Sequence, residues 1–266
     1  MKIGTGPIIV PWDFSEVADN ALKTAIRVTH KINKDIVLLH IAKKNRDITE
    51  TGDKLAEIAY EKSKKYKRTI KPLVTKGTIF TNIGRSSDNL DAELIVMGTH
   101  GMKGIQKIVG SWALKVVTNT STPFIVVQKP PKNTALKNVV MPIDFRTDAK
   151  EKLNWVEYLH KLYSPKFFLL KPNFTESETI HKIKANTFYC QNYLDKKGIS
   201  YETGMAEGKH SFMDETVEYA HRKNADLILI VAPKKSFSDY LLNSPEQYVI
   251  ANHKAIPVMV ISASHQ

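Results

Sequence analysis

Short apolar runs alternate with longer amphipathic stretches from one end of the chain to the other. In the first half the runs are 8–10, 36–41, 70–75, 94–97 and 124–127, and stretches at about 16–32, 49–67, 78–90 and 111–119 space their apolar residues as helices do. The second half repeats the order. Its runs are 138–143, 166–170, 199–203, 227–231 and 258–261, with helical patterns near 147–163, 176–197, 210–224 and 243–253. Near-continuous Val/Ile/Leu runs suit strands covered on both faces. Strand–helix alternation predicts a parallel sheet with right-handed crossovers. In such open sheets ligands bind beyond the carboxyl ends of the strands, near a switch in strand order, which directs attention to Pro11–Ser15, Ile41–Lys43 and Gly98–Ser111.

The two halves also repeat in detail. Ile8-Ile9-Val10-Pro11-Trp12-Asp13-Phe14 is echoed by Val139-Val140-Met141-Pro142-Ile143-Asp144-Phe145, 131 positions on. Ala92–Met97 is echoed by Ala225–Ile230 at an offset of 133, and Thr122–Val127 by Ile256–Ile261 at an offset of 134. Three collinear echoes at a near-constant offset indicate duplication. The stretch from Gln128 to Lys137, rich in Pro and Lys, reads as the linker. We therefore expect an α/β protein of two tandem domains, residues 1–130 and 136–266, each a five-stranded parallel sheet flanked by helices.

Composition narrows the function classes. Hydrophobic residues make up 42% and charged residues 25% of 266, values of a globular chain. No apolar run approaches the roughly 20 residues of a membrane span, and nothing resembling a secretory signal stands at the N-terminus. The single cysteine, Cys190, suits a reducing compartment and reads as a buried helix residue. A cytoplasmic location is the expectation. The net charge of +12 is uneven: residues 1–133 hold 22 Lys+Arg against 12 Asp+Glu, residues 134–266 hold 17 against 15. Such asymmetry attracts anions. No nucleic-acid recognition motif accompanies it, and the densest run, Lys62–Arg68, reads as a solvated helix end.

The candidate chemistry follows the fourth run. Met97 to Trp112 holds four of the chain's twelve glycines, Gly98, Gly101, Gly104 and Gly110. Glycine permits positive φ and close approach of a ligand to backbone amides. Ser111 is a candidate N-cap for the helical pattern from Trp112, and helix N-terminal amides favour phosphate. Lys103 and Lys107 add positive charge. A glycine-rich turn without a ligand is the alternative. The loop is neither a Walker A motif nor a Rossmann fingerprint. Trp12 and Trp112 either stack on a base or fill the cleft.

Taken together, Val10-Pro11-Trp12-Asp13-Phe14-Ser15, Glu93–Gly101, Gly110-Ser111 and Thr122–Val127 resemble the universal stress protein family, and the resemblance covers nearly the whole chain. It implies an adenine nucleotide alpha hydrolase-like fold and, as in some members, ATP binding. Asp13 would then lie near the ribose or phosphates, the Ile41 backbone would face adenine, and Gly98, Gly101, Gly110 and Ser111 would cradle ribose and phosphates. Pro11, Trp12, Met97 and Trp112 complete the expected ligand-binding set. Magnesium would come with the nucleotide and touch Asp13, without a dedicated catalytic base, so any hydrolysis is expected to be slow. The sequence departs from the family's spacing: eight residues, not nine, separate Gly101 from Gly110. The function implied is a cytoplasmic stress-response protein whose first domain senses an adenine nucleotide. The alternative is a stress-response protein acting through protein partners.

The second half keeps Pro142 and Asp144 but has no glycine from Val231 to Pro245, so a phosphate loop is not expected there and Asp144 reads as a turn residue. No His/Cys spacing suggests a metal site of the protein's own, and no nucleophile elbow suggests a hydrolase. Phe124–Val127 and Val258–Ile261 read as short apolar edges that invite pairing. By resemblance, they would join the halves as an internal pseudo-dimer, and two chains would associate as a homodimer.

Overall fold

The computed structural model describes residues 3–44, 47–99, 120–133, 135–145, 151–174, 176–232 and 245–262. The predicted helix over 111–119 lies outside them. In the first half β1 (Ile8–Pro11), α1 (Glu16–Thr29), β2 (Ile36–Ala42), α2 (Asp47–Tyr66), β3 (Ile70–Lys76), α3 (Ile79–Asn89), β4 (Leu94–Gly98) and β5 (Phe124–Val127) follow in order. The second half supplies β6 (Asn138–Pro142), α4 (Lys152–Tyr163), β7 (Lys166–Lys171), α5 (Ser177–Lys196), β8 (Tyr201–Met205), α6 (Phe212–Arg222), β9 (Leu227–Ala232), α7 (Pro245–Ile250) and β10 (Val258–Ser262). The predicted strand 199–203 falls two residues later, because Ile199 turns into the core before pairing begins.

All ten described strands form one sheet in the order β3-β2-β1-β4-β5-β10-β9-β6-β7-β8. Within each half every pairing is parallel. The halves meet where β5 and β10 pair antiparallel, with Val126 opposite Val258, Ile125 opposite Met259 and Phe124 opposite Val260. The expected internal pseudo-dimer through the last strands is therefore the architecture of the chain.

The apolar edge strands of the two halves, β5 and β10, pair as expected, which puts both at the centre of the joined sheet, buried at every position. One reading is corrected. The edges are β3 and β8, where the predicted burial on both faces fails: both strands are largely exposed or half-exposed. Pro72 in β3 belongs at an edge, because it has no amide to give a second neighbour.

Two hydrophobic layers cover the sheet. Ile8, Val10, Ile125 and Met259 point into one layer, and Ile9, Phe124, Val126 and Val258 into the other. Both layers run across the β5–β10 seam, so the halves share their cores. Helix α1 docks by Ala18, Ala21, Leu22 and Ala25, a stripe at helical spacing. Ser15 caps it, its hydroxyl accepting from the Ala18 amide at 3.3 Å.

Polar contacts across the seam mirror the duplication. Arg27 of α1 reaches Asp226 at the start of β9, at 3.7 Å. Tyr158 of α4 donates to Glu93 at the start of β4. Position 158 lies 131 after 27 and position 226 lies 133 after 93, so the two contacts are pseudo-symmetric with different chemistry. Burial pushes the Glu93 carboxyl up, against the opposing pull of Lys34 at 3.2 Å.

Candidate functional site

Strand order reverses between β1 and β4. From β1 the chain proceeds outward to β2 and β3, then returns to the other side of β1. That is the switch point at which open α/β sheets bind ligands. The ends of β1, β2 and β4 bring Pro11, Ile41, Met97 and Gly98 to one rim.

Gly98 has a local physical reason. A Cβ there would overlap the Val17 backbone carbonyl in the first turn of α1. Glycine therefore lets the N-terminal turn of α1 lie directly on the end of β4. That contact carries Asp13 and Ser15 to the mouth of the crevice. Thr99 follows, anchored by its amide to the Val127 carbonyl at 2.8 Å. Its hydroxyl is buried and has no hydrogen-bond partner among the described residues, a state that calls for a reason in a native structure.

Between β1 and α1 the chain makes a tight local network. One Asp13 oxygen, Oδ1, accepts from the Ser15 amide at 3.0 Å and from the Ser15 hydroxyl. Asp13 Oδ2 accepts no hydrogen bond among the described residues, and the side chain is exposed. Phe14 adopts φ 64°, in the left-handed region. Its ring lies 5.1 Å from that of His40, and the Lys54 ammonium stands 4.7 Å over it. His40 Nδ1 bonds the Trp12 carbonyl at 2.7 Å.

Of the two roles weighed for Trp12, burial decides. The residue is 6% exposed and packs in the core beneath the rim. Stacking on a base needs an exposed ring face, so the indole fills rather than stacks. Ile41 and Met97 are half-buried at the rim. Gly101, Gly110, Ser111 and Trp112 lie outside the described residues. Among the described residues the candidate rim therefore brings together Pro11, the Trp12 backbone, Asp13, Ile41, Met97 and Gly98, with Thr99, Phe14, His40 and Lys54 beside them. Thr99 was within reach of sequence reasoning, since it stands inside Gly98-Thr-His-Gly101. Phe14 and Lys54 are far apart in sequence, and only the packing of α2 joins them.

The electrostatics of the helix start are nearly neutral. Glu16 and Asp19 occupy the first turn of α1, where they complement the helix dipole. Burial raises the Asp19 carboxyl, but Lys23 and Lys62 outweigh it and hold Asp19 below its ordinary value. With Ser15 already capping the helix, α1 is not itself an anion pole. Among the described residues no group of His, Cys, Asp and Glu is arranged to hold a metal ion.

The universal stress protein family model matches residues 4–128, which span this crevice and the strands that frame it. The chain carries a universal stress protein domain. Two curated universal stress proteins of Methanocaldococcus jannaschii are similar to it. One is 25% identical over 141 residues, 47% of this chain and 83% of the relative. The other is 26% identical over 159 residues, 48% of this chain and 98% of the relative. Over nearly its whole length the chain has the fold of a universal stress protein from Archaeoglobus fulgidus. That structure superposes with a TM-score of 0.79 at 17% identity, covering 97% of this chain and 98% of that one. The two halves thus share one fold in tandem over the described residues. Among the described residues no helix is long and apolar enough to cross a membrane.

Proposed function

We propose that the first domain is a nucleotide-sensing module of a stress response, binding ATP or a related adenine nucleotide in the crevice between β1 and β4. The observation that carries this reading is the glycine at the end of β4. It holds the start of α1 against the strand tip and leaves beside it the buried Thr99 hydroxyl, which has no partner among the described residues. Asp13 fits a magnesium-bound nucleotide or a ribose hydroxyl, because one carboxylate oxygen remains open at the rim. The α1 N-terminus does not fit a phosphate, for its first turn is acidic and capped. The phosphates fall to the loop from Gly98 to Ser111. The protein is proposed to act in the cytoplasm, as two domains meeting within residues 130–136, with chains associating as homodimers.

Calorimetry of the full chain with ATP and Mg²⁺ tests this. One site per chain is expected, weakened in Thr99→Val and Asp13→Asn. No heat and no thermal shift at millimolar nucleotide would overturn it.

A second reading, action through protein partners, is favoured by one feature of the other half. Phe145 and Phe174 follow β6 and β7 and are 47% and 43% exposed. Their ring centroids lie 6.5 Å apart. Adenine nucleotide copurifying with the extracted chain would argue against this as the sole function.

A further inference from the structure

A second cleft opens at the seam between the halves, away from the crevice at β1 and β4. It encloses about 340 Å³ between Arg27, the start of the linker and the turn before β10, within the size range of sites for small organic molecules. We propose that this cleft binds a small organic anion, a phosphate or carboxylate carried on an apolar body.

Arg27 is the centre of the argument. Its side chain is 9% exposed, yet its guanidinium makes a single hydrogen bond among the described residues, from Nη2 to the Ala135 carbonyl at 2.7 Å. A guanidinium offers five donors. Its carboxylate neighbour, Asp226, stands 3.7 Å away through Oδ1, which also accepts from Asn133 Nδ2 at 3.4 Å, while Oδ2 accepts from the Lys137 and Asn138 amides at 2.8 and 3.1 Å. The cation is thus buried with one hydrogen bond and one long ion pair, and burial pushes Arg27 below its ordinary value despite Asp226. A charge so placed favours an added anion, since removing it from water has already been borne by the fold.

The rest of the lining agrees. Four cations, Arg27, Lys129, Lys132 and Lys254, face the one carboxylate of Asp226. Lys254 is tied to Glu218 at 3.2 Å. Lys129 and Lys132 make no ion pair among the described residues and are free to close on a ligand. The remaining wall is apolar and stiff, made of Pro130, Pro131, Ile256 and Pro257. Such a wall takes a ring or a short hydrocarbon body rather than a bare ion. Charge from the first half, the linker and the second half converges here, so the site exists only in the tandem chain. The inference does not depend on nucleotide binding at the first domain.

Titration calorimetry at low salt, on the full chain, with phenyl phosphate, benzoate and benzyl alcohol tests the proposal. One equivalent of anion is expected to bind, and to remain bound with Mg²⁺-ATP in excess. Lys129→Ala combined with Lys132→Ala should weaken it about tenfold. Both lysines are solvent-facing, so this variant keeps the test decisive if Arg27→Gln fails to fold. Tighter binding of phenyl phosphate would name phosphate as the headgroup, and tighter binding of benzoate would name carboxylate. No binding of either anion at millimolar concentration overturns the proposal. So do equal binding of benzyl alcohol, affinity unchanged in both variants, and displacement by Mg²⁺-ATP.

Discussion

The two halves of the chain share a strand order and differ at three equivalent positions near their strand tips. Where β4 ends in Gly98, the offset of the nearest echo puts Val231, buried in β9, in the second half. Where α1 buries Ala21, α4 buries Lys152, whose ammonium donates to the Pro142 carbonyl at 2.6 Å. Where α3 carries the amide of Asn82, α6 carries the carboxylate of Glu215. In the first half a glycine ends β4 and the buried α1 position is alanine. The second half brings its own cation to the end of β6.

The third difference concerns the loops that enter α3 and α6. Asn82 Oδ1 accepts from the Thr78 amide at 3.2 Å, and Nδ2 donates to the Lys76 carbonyl at 2.8 Å. Glu215 accepts instead from the Gly208, Lys209 and His210 amides at 3.1, 2.7 and 3.0 Å. Burial raises Glu215, but those amides outweigh it and hold the carboxyl below its ordinary value of 4.5. The same structural task is done by a neutral group in one half and a charged one in the other.

The sharpest way to break the comparison is Gly98→Val. The new side chain would collide with backbone at Val17, costing about 3 kcal/mol or more, and denaturant unfolding should show it. Val231→Gly at the equivalent position should cost less, since it removes a side chain without forcing backbone apart. Equal losses would mean that the tips are packed alike. Next in size, Lys152→Ala should destabilise the chain by about 2 kcal/mol, leaving a cavity and an unpaired Pro142 carbonyl. Ala21→Lys in the first half should abolish ATP binding if an internal cation is what closes a tip, and calorimetry would read it.

A smaller effect separates the seam contacts. Tyr158→Phe removes a donor to the buried Glu93 and should cost about 1 kcal/mol, measured as a lower denaturation midpoint. Glu93 has its folded pKa raised by burial, so the folded state binds the extra proton. Its contribution to stability is therefore largest in acid and declines as pH rises from 4.5 through the folded value. Glu93→Gln should flatten that decline.

The smallest effect is the acid response of the α6 loop. With its folded pKa lowered, Glu215 stabilises above pH 4.5, and that contribution is lost as pH falls through the folded value. Glu215→Gln should remove this loss from the pH dependence of the unfolding midpoint, while Asn82→Gln leaves it in place. An unchanged profile in Glu215→Gln would break the contrast between the two loops.

Much of this was legible in the chain itself. Uninterrupted apolar runs such as Ile36–Leu39 and Leu227–Val231 announced strands covered on both faces. The Pro-x-Asp-Phe echo at 131 residues announced the duplication. Gly98 was legible as a special position, although its use, admitting the Val17 backbone, was not. The pairing of Phe124–Val127 with Val258–Ile261 was legible too, since a short apolar edge invites a second strand. The exposure of β3 was not. Ile70–Lys76 looked core-like because Ile, Leu and Val also suit the half-exposed face of an edge strand.

Local sequence alone determined the element order, the parallel pairing within each half and the glycine at the tip, because periodicity and backbone permission act over a few residues. Only the tertiary structure decided that Trp12 fills the core, that Lys54 covers Phe14, and that Arg27 is buried beside a carboxylate it shares with the linker amides. Each of those outcomes depends on groups far apart in the chain arriving at one place. Burial and charge compensation are properties of that arrangement, not of any segment.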